Sequence, residues 1–225
     1  IVLTGVNVGD FGKERGESLF ELIVELEKLK NIERIRFSSI EPNLLNNKII
    51  DFCANSKKLM PHFHIPLQSG SDKILGLMKR RYNLSLYSKR INRIKKEMPD
   101  SCIGVDVMVG FPGETKSDFL DTYTYLNELP ISYLHVFTYS ERENTKAFDY
   151  KNKVSKRERT ERSKMLHILS EKKKRYFYQK FIGSERFVLF ESMKNGKIFG
   201  HTDNYLKVEV SDDSKIINKI KKVKL

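Results

Sequence analysis

Short apolar or β-branched runs recur through the first 140 residues, at 1–4 (IVLT), 34–38 (RIRFS), 62–66 (HFHIP), 102–109 (CIGVDVMV) and 133–138 (YLHVFT). Between them the apolar residues adopt helical spacing: Leu19, Ile23, Leu26 and Leu29; Leu45, Ile49 and Phe52; Ile74 and Met78; Ile91, Ile94 and Met98; Phe119, Tyr123 and Leu126. Strands joined by helices pair in parallel with right-handed crossovers, so the pattern predicts an α/β fold. Helical spacing resumes after Ser155, with Met165, Ile168 and Leu169 on one face.

Every strand runs into a polar or glycine-rich elbow: TGVNVGDFG, SSIEPN, PLQSGSD, GFPGETKSD and YSERENT. Turn chemistry explains any one of these. In a parallel sheet or barrel, however, the carboxyl ends of all strands share one rim, and five such elbows there make a binding site. Five strands do not close an eight-stranded barrel, and the first run is already under way at Ile1, so the expectation is an open partial barrel with sequence missing upstream.

The rim offers hydrogen-bonding side chains (Thr4, Asn7, Ser39, Gln68, Ser69), carboxylates (Glu41, Asp106, Glu114) and bare backbone at Gly110, Pro112 and Gly113. Amides and carboxylates suit an ammonium group, sugar hydroxyls or an adenine edge, and glycine lets a flat ring approach the main chain. That mixture suits a nucleoside with a charged tail. Gly5, Gly9 and Gly12 are spaced GxxxGxxG rather than GxGxxG, which disfavours a nicotinamide oxidoreductase. A phosphate-binding lysine loop, an HExxH helix and a nucleophile elbow are all missing. His62 and His64 alternate on one strand face, but no third ligand stands near them in sequence, so packing histidines are expected rather than a metal site. His135 lies in the last strand and His201 in a turn-like GHTDN.

Charge divides the chain. The whole sequence carries 42 Lys and Arg against 29 Asp and Glu, and residues 151–225 alone hold 21 basic and only 9 acidic residues. A nearly neutral module over 1–150 is therefore expected to precede a basic helical connector over 151–180 and a polyanion-seeking module over 181–225. The connector mixes Lys172, Lys173, Lys174 and Arg175 with Tyr176, Phe177 and Tyr178, a composition for pairing phosphates and stacking on bases, although the aromatics can equally dock the helix. Tyr205 and Lys207 alternate with apolar neighbours, and His201, Thr202 and Asn204 read as a polar turn. The two cysteines, Cys53 and Cys102, fall in apolar patterns and show no disulfide or metal spacing. No signal peptide or membrane-length apolar run is present, which points to a reducing, cytoplasmic setting and no membrane partner.

Taken in order, TGVNVGDFG, RFSSIEP, HFHIPLQSGSDKILGLMKRRY, GVDVMVGFPGET and FTYSERENTKAF resemble the radical S-adenosylmethionine methylthiotransferases. The tail, FIGSERFVLFESMKNGKIFGHTDNYLKVEV, resembles their small β-barrel RNA-binding TRAM domain. Within that family TGVN and SSIEP look like the branch that places a methylthio group on threonylcarbamoyladenosine of tRNA, beside the anticodon. The branch acting on isopentenyladenosine is the alternative, as is a non-catalytic RNA-binding module that never held a cluster. The resemblance implies S-adenosylmethionine, [4Fe–4S] clusters held by a CxxxCxxC loop, an electron-donor protein and the tRNA anticodon stem-loop as partner. No such loop is present here, so the resemblance also implies that this chain alone is inactive. It places Gly5, Asn7, Ser39, Glu41, Gln68 and Ser69 around the methionyl and ribose groups of the cofactor. Asp106, Val109 and Gly110 would flank its adenosine. Arg142 and Thr145 would face substrate, and Lys172, Lys173, Lys174, Arg175, His201, Thr202, Tyr205 and Lys207 would contact RNA.

Overall fold

The structure is a computed structural model that describes residues 1–211 and 214–225. Five strands alternate with helices in its first part: β1 (Val2–Leu3), α1 (Leu19–Lys28), β2 (Arg36–Phe37), α2 (Asn47–Asn55) and β3 (His62–His64). Then come α3 (Asp72–Leu77), α4 (Leu84–Glu97), β4 (Cys102–Val109), α5 (Lys116–Glu128) and β5 (Tyr133–Thr138). The expected run of parallel strands is present. β1 pairs with β2, and β3, β4 and β5 form a second parallel ladder. An isolated parallel bridge from Ile35 to Leu59 and the Ile40 N–H bond to the His64 carbonyl (3.1 Å) join the two ladders, and the five strands form an open partial barrel.

Polar caps explain where the helices begin. The side chains of Ser18, Asn46, Ser71 and Asn83 accept the backbone N–H three residues on, and Thr115 and Ser155 complete reciprocal capping boxes with Asp118 and Glu158. The strands sort their side chains by parity. Ile103, Val105, Val107 and Val109 of β4 join Phe63, Ile23, Ile91 and Leu126 in the core between sheet and helices. Asp106 and Met108 point to the opposite, concave face, which forms the lumen. At Gly104 the same face has no side chain, and a Cβ there would collide with the Tyr133 ring.

The connector is one long helix, α6 (Lys156–Gln179), packed on β5. Ser170 Oγ accepts from Leu134 N (2.9 Å) and donates to Leu134 O (3.0 Å), so the helix satisfies backbone groups on the free edge of β5. The tail follows as β6 (Glu185–Lys194), β7 (Lys197–Thr202), β8 (Lys207–Val210) and β9 (Ile220–Lys224). These strands form an antiparallel sheet in the order β8-β7-β6-β9. Among the described residues it does not close into the expected barrel, because β8 and β9 each pair on one side only. His201 and Thr202 end β7 rather than forming a turn; the turn is displaced to the next three residues.

The tail sheet docks on the amino-terminal end of the partial barrel. Arg34 donates to the carbonyls of His201 (3.1 Å) and Phe187 (2.8 Å), and Asn204 Nδ2 donates to the Asp100 carbonyl (3.0 Å). Arg186 bonds Asp203 (3.1 Å) and also reaches Asp100.

Candidate functional site

The carboxyl ends of the five strands place the five elbows on one rim, as parallel pairing requires. Asn7 links the first two: its Nδ2 donates to Asp10 (2.8 Å), and its Oδ1 accepts the Glu41 N–H (3.4 Å). Glu41 in turn receives Arg80 Nη1 at 3.4 Å. Gln68 takes a left-handed backbone (φ 71°), its N–H bonding the Asp106 carbonyl (2.8 Å) and its own carbonyl accepting Met108 N–H (2.9 Å). That kink ends the ladder and turns the chain at the rim. Ser39 is half-buried on the second elbow, and Gly5 is exposed on the first.

Three expected rim residues have other duties. The Ser69 side chain is buried against α5, 3.4 Å from Thr122 Oγ1, and also accepts the Ser71 N–H. Val109 lies in the helix-facing core, because odd positions of β4 face away from the lumen. Gly110 has φ 78°, and the space a Cβ would occupy is filled by the Arg159 side chain, so α6 rather than a ligand demands this glycine. Arg142 and Thr145 do lie together: the Thr145 hydroxyl donates to the Arg142 carbonyl at 2.7 Å in an exposed turn after β5.

The lumen itself holds a cluster that sequence spacing did not show. Register sets His64 beside Gly104 and Asp106 opposite His135, so three strands bring His64, Asp106 and His135 together with ligand atoms within 4.8 Å of one another. His64 Nε2 lies 2.6 Å from Asp106 Oδ1, and His135 Nδ1 lies 3.3 Å from the same oxygen. His64 Nδ1 faces the Ser38 carbonyl at 3.1 Å. Both partners of His64 are acceptors, so the ring is satisfied with a hydrogen on each nitrogen or with the shared proton on Asp106. A divalent cation would have to displace that proton. The shared parity of His62, His64, Asp106 and His135 was the available signal, but it becomes readable only once strand register is known.

Below this cluster a cavity of about 490 Å³ opens between the lumen, α6 and the tail sheet. Arg36, His64, His135, Lys174, Tyr205 and Lys207 are among its lining residues. His62 is buried there, with Nε2 3.0 Å from the Tyr133 hydroxyl and Nδ1 without a partner among the described residues. Burial, with the nearby Arg36 charge adding to it, pushes its pKa down to about 3.

The expected RNA residues divide too. Lys173 Nζ donates to the carbonyls of Asn127 (2.7 Å) and Leu129 (2.6 Å), capping α5, and burial lowers its pKa to about 8. Phe177 is buried, and Tyr178 bonds the Lys207 N–H (3.0 Å). Thr202 is buried and bonds Asn204 and the Leu206 N–H. Tyr205 and His201 stack on each other, ring centroids 4.4 Å apart, beside the cavity. Lys172, Lys174, Arg175 and Tyr176 remain exposed.

Residues 2–126 match the family model of the radical SAM superfamily. The chain belongs to that superfamily. It is 39% identical over 93% of its length to a threonylcarbamoyladenosine tRNA methylthiotransferase, MtaB, of Aquifex aeolicus, and 36% identical over its whole length to that of Bacillus subtilis. A tRNA-2-methylthio-N(6)-dimethylallyladenosine synthase of Dictyoglomus thermophilum is 34% identical, also over the whole chain. The chain spans about half the length of these relatives, 50%, 51% and 52% respectively. Among solved structures, the radical SAM enzyme coproporphyrinogen III oxidase (HemN) of Escherichia coli overlays 73% of this chain and 38% of its own with a TM-score of 0.52 at 18% identity, which supports the fold.

The rim fits the cofactor for which the superfamily is named. Ser38 Oγ, Asn43 Oδ1 and Arg80 Nε, on or beside the second elbow, are buried without partners among the described residues, as polar groups awaiting a polar ligand would be. An iron–sulfur cluster does not fit the residues present. Cys53 and Cys102 are the only thiols in the sequence, they sit in separate cores, and burial pushes each up to about 12.

Proposed function

We propose that the chain is part of a tRNA methylthiotransferase that uses S-adenosylmethionine to place a methylthio group on carbon 2 of threonylcarbamoyladenosine beside the anticodon. The observation that carries this reading is similarity to two enzymes of that name along nearly all of the chain at 36–39% identity. S-adenosylmethionine supplies the radical that starts such chemistry when a [4Fe–4S] cluster is present. The protein's own part is to hold the cofactor on the rim, through Asn7, Ser39, Glu41 and Gln68, and to present the target base to it from the lumen. The 225 residues lack a set of cluster thiolates, so on their own they bind cofactor without cleaving it. The tail sheet serves as the TRAM-type RNA contact, and the exposed cations of α6 add to it. An electron-donor protein completes the system.

The test is a mass measurement of tRNA nucleosides from cells in which the intact gene is deleted. Loss of the 2-methylthio form of threonylcarbamoyladenosine, with the dimethylallyladenosine series unchanged, is the expected result. The opposite pattern overturns the assignment in favour of the dimethylallyl branch, which the relative from Dictyoglomus thermophilum represents.

A further inference from the structure

The cavity at the floor of the lumen contains a cation that no described residue pairs with. Arg36 is half-buried there, and among the described residues its guanidinium has neither a hydrogen-bond partner nor an ion pair. Its one polar engagement is with the Tyr205 ring, whose centroid lies 3.9 Å from Cζ. A guanidinium held over a ring has its fork of N–H donors free in its own plane, the geometry that grips a carboxylate with two parallel bonds.

Tyr205 is positioned at a conformational cost. Its φ is 67°, a left-handed backbone that a bulky residue rarely adopts. The turn that enforces it is fully bonded: Tyr205 N–H to the Thr202 carbonyl (3.1 Å), Leu206 N–H to Thr202 Oγ1 (2.8 Å), and Asn204 Nδ2 to the Asp100 carbonyl (3.0 Å). Its ring also stacks on His62, with centroids 4.2 Å apart. The tail sheet thus inserts an aromatic shelf under Arg36.

The remaining lining is donor-rich. Lys174, Lys207 and His135 line the cavity, Glu171 is the one acidic residue lining it among the described residues, and Asp106 behind it is already shared by two histidines. Such a site favours an anion.

We infer that this cavity is a carboxylate-binding subsite in which Arg36, shelved on Tyr205, receives the carboxylate of the threonylcarbamoyl substituent and so selects that nucleoside over one bearing an apolar substituent. The inference rests on the proposed function for the identity of the ligand, but not for the anion site itself. With the adenine toward the elbows, the substituent on N6 extends down the lumen to its floor. A dimethylallyl group in the same place leaves the guanidinium desolvated and unpaired, and sites built to bond a polar group reject analogues that lack it.

The experiment titrates the 225-residue protein, by calorimetry and by the NMR signals of its arginine side chains, with four probes. These are threonylcarbamoyladenosine, its methyl ester, dimethylallyladenosine and N-carbamoylthreonine. The free acid is expected to bind at least tenfold more tightly than the methyl ester or the dimethylallyl nucleoside, and R36Q is expected to abolish that preference. The ester comparison leaves the protein untouched, so it holds even where R36Q is unstable. Equal binding of acid and ester, an acid preference retained in folded R36Q, or no binding of the acid at 10-fold molar excess overturns the subsite. N-carbamoylthreonine separates the two ideas: Arg36-dependent binding of this probe supports the subsite whichever nucleoside the gene deletion identifies. Conversely, loss of the methylthio nucleoside on deletion, without a carboxylate preference in the titration, sinks the subsite and leaves the proposed function standing.

Discussion

Arg162 on α6 donates to Glu114 in the fourth elbow at 2.5 Å, and both side chains are buried. The second Glu114 oxygen accepts the Gly110 N–H at 3.0 Å, so one carboxylate fixes the rim loop to the connector helix. Burial raises the Glu114 carboxyl above its usual range, while Arg162 opposes that rise. Removing one partner from such a pair strands a buried charge, at a typical cost of about 3–5 kcal/mol. R162M is therefore expected to lower the urea midpoint strongly, and R162M combined with E114Q to lower it less than R162M alone. A double variant as unstable as the sum of its parts would show that the two residues act independently.

Gly110 gives a second, separable prediction. The sequence suggests a glycine that admits a ligand, whereas the structure shows one that admits the Arg159 side chain. Arg159 there bonds the carbonyls of Val154 (2.8 Å) and Tyr139 (2.9 Å) and pairs with Glu141. G110A adds a left-handed penalty of about 1–2 kcal/mol to the displacement of this arginine. Thermal unfolding should register the loss, while S-adenosylmethionine affinity measured below the transition stays within a factor of about two. Lost affinity in a fully folded variant would restore the ligand-facing role.

The strand–elbow–helix order was legible because each part of it is a local property: five apolar runs, the helical spacing between them and five polar exits. The rim followed from topology alone. What stayed hidden depends on register and on contacts distant in sequence. Val109 and Asp106 are three residues apart, yet strand parity sends one to the core and the other to the lumen. Ser69 and Lys173 look like ligand-binding residues, but helices far along the chain had already claimed their polar atoms. Tyr205 read as a strand residue on an RNA surface, because nothing local announces that a turn carries it under Arg36.

Acid should destabilise the protein through His62. Its folded pKa of about 3 lies below the model-peptide value of 6.5, so between those two values the unfolded state binds more protons. Stability is full above about pH 6.5 and declines as pH falls toward 3, by about 3 kcal/mol at pH 4 from this group alone. H62Q keeps an acceptor for the Tyr133 hydroxyl and cannot titrate. Chemical unfolding from pH 7 to 4 is expected to show a shallower loss for H62Q than for the unaltered protein. Parallel pH profiles would assign the acid sensitivity elsewhere.

RNA affinity offers the last prediction. Deleting everything after residue 150 removes most of the positive charge, but it would also strip α6 from the edge of β5 and withdraw Arg159 and Arg162 from the rim loops, so lost binding would mix folding with contact. Point changes on the exposed face avoid this. Lys172 and Arg175 are exposed, whereas Lys173 between them caps α5. Each phosphate contact contributes roughly 0.7–0.9 to the slope of log affinity against log salt. K172Q with R175Q should therefore reduce the slope for an anticodon stem-loop by about 1.5, with the unfolding temperature held. K173Q should lower the unfolding temperature while leaving the slope nearly as it was. Slopes measured between 50 and 200 mM salt distinguish the cases, and an unchanged slope in the double variant would remove α6 from the RNA-contacting surface.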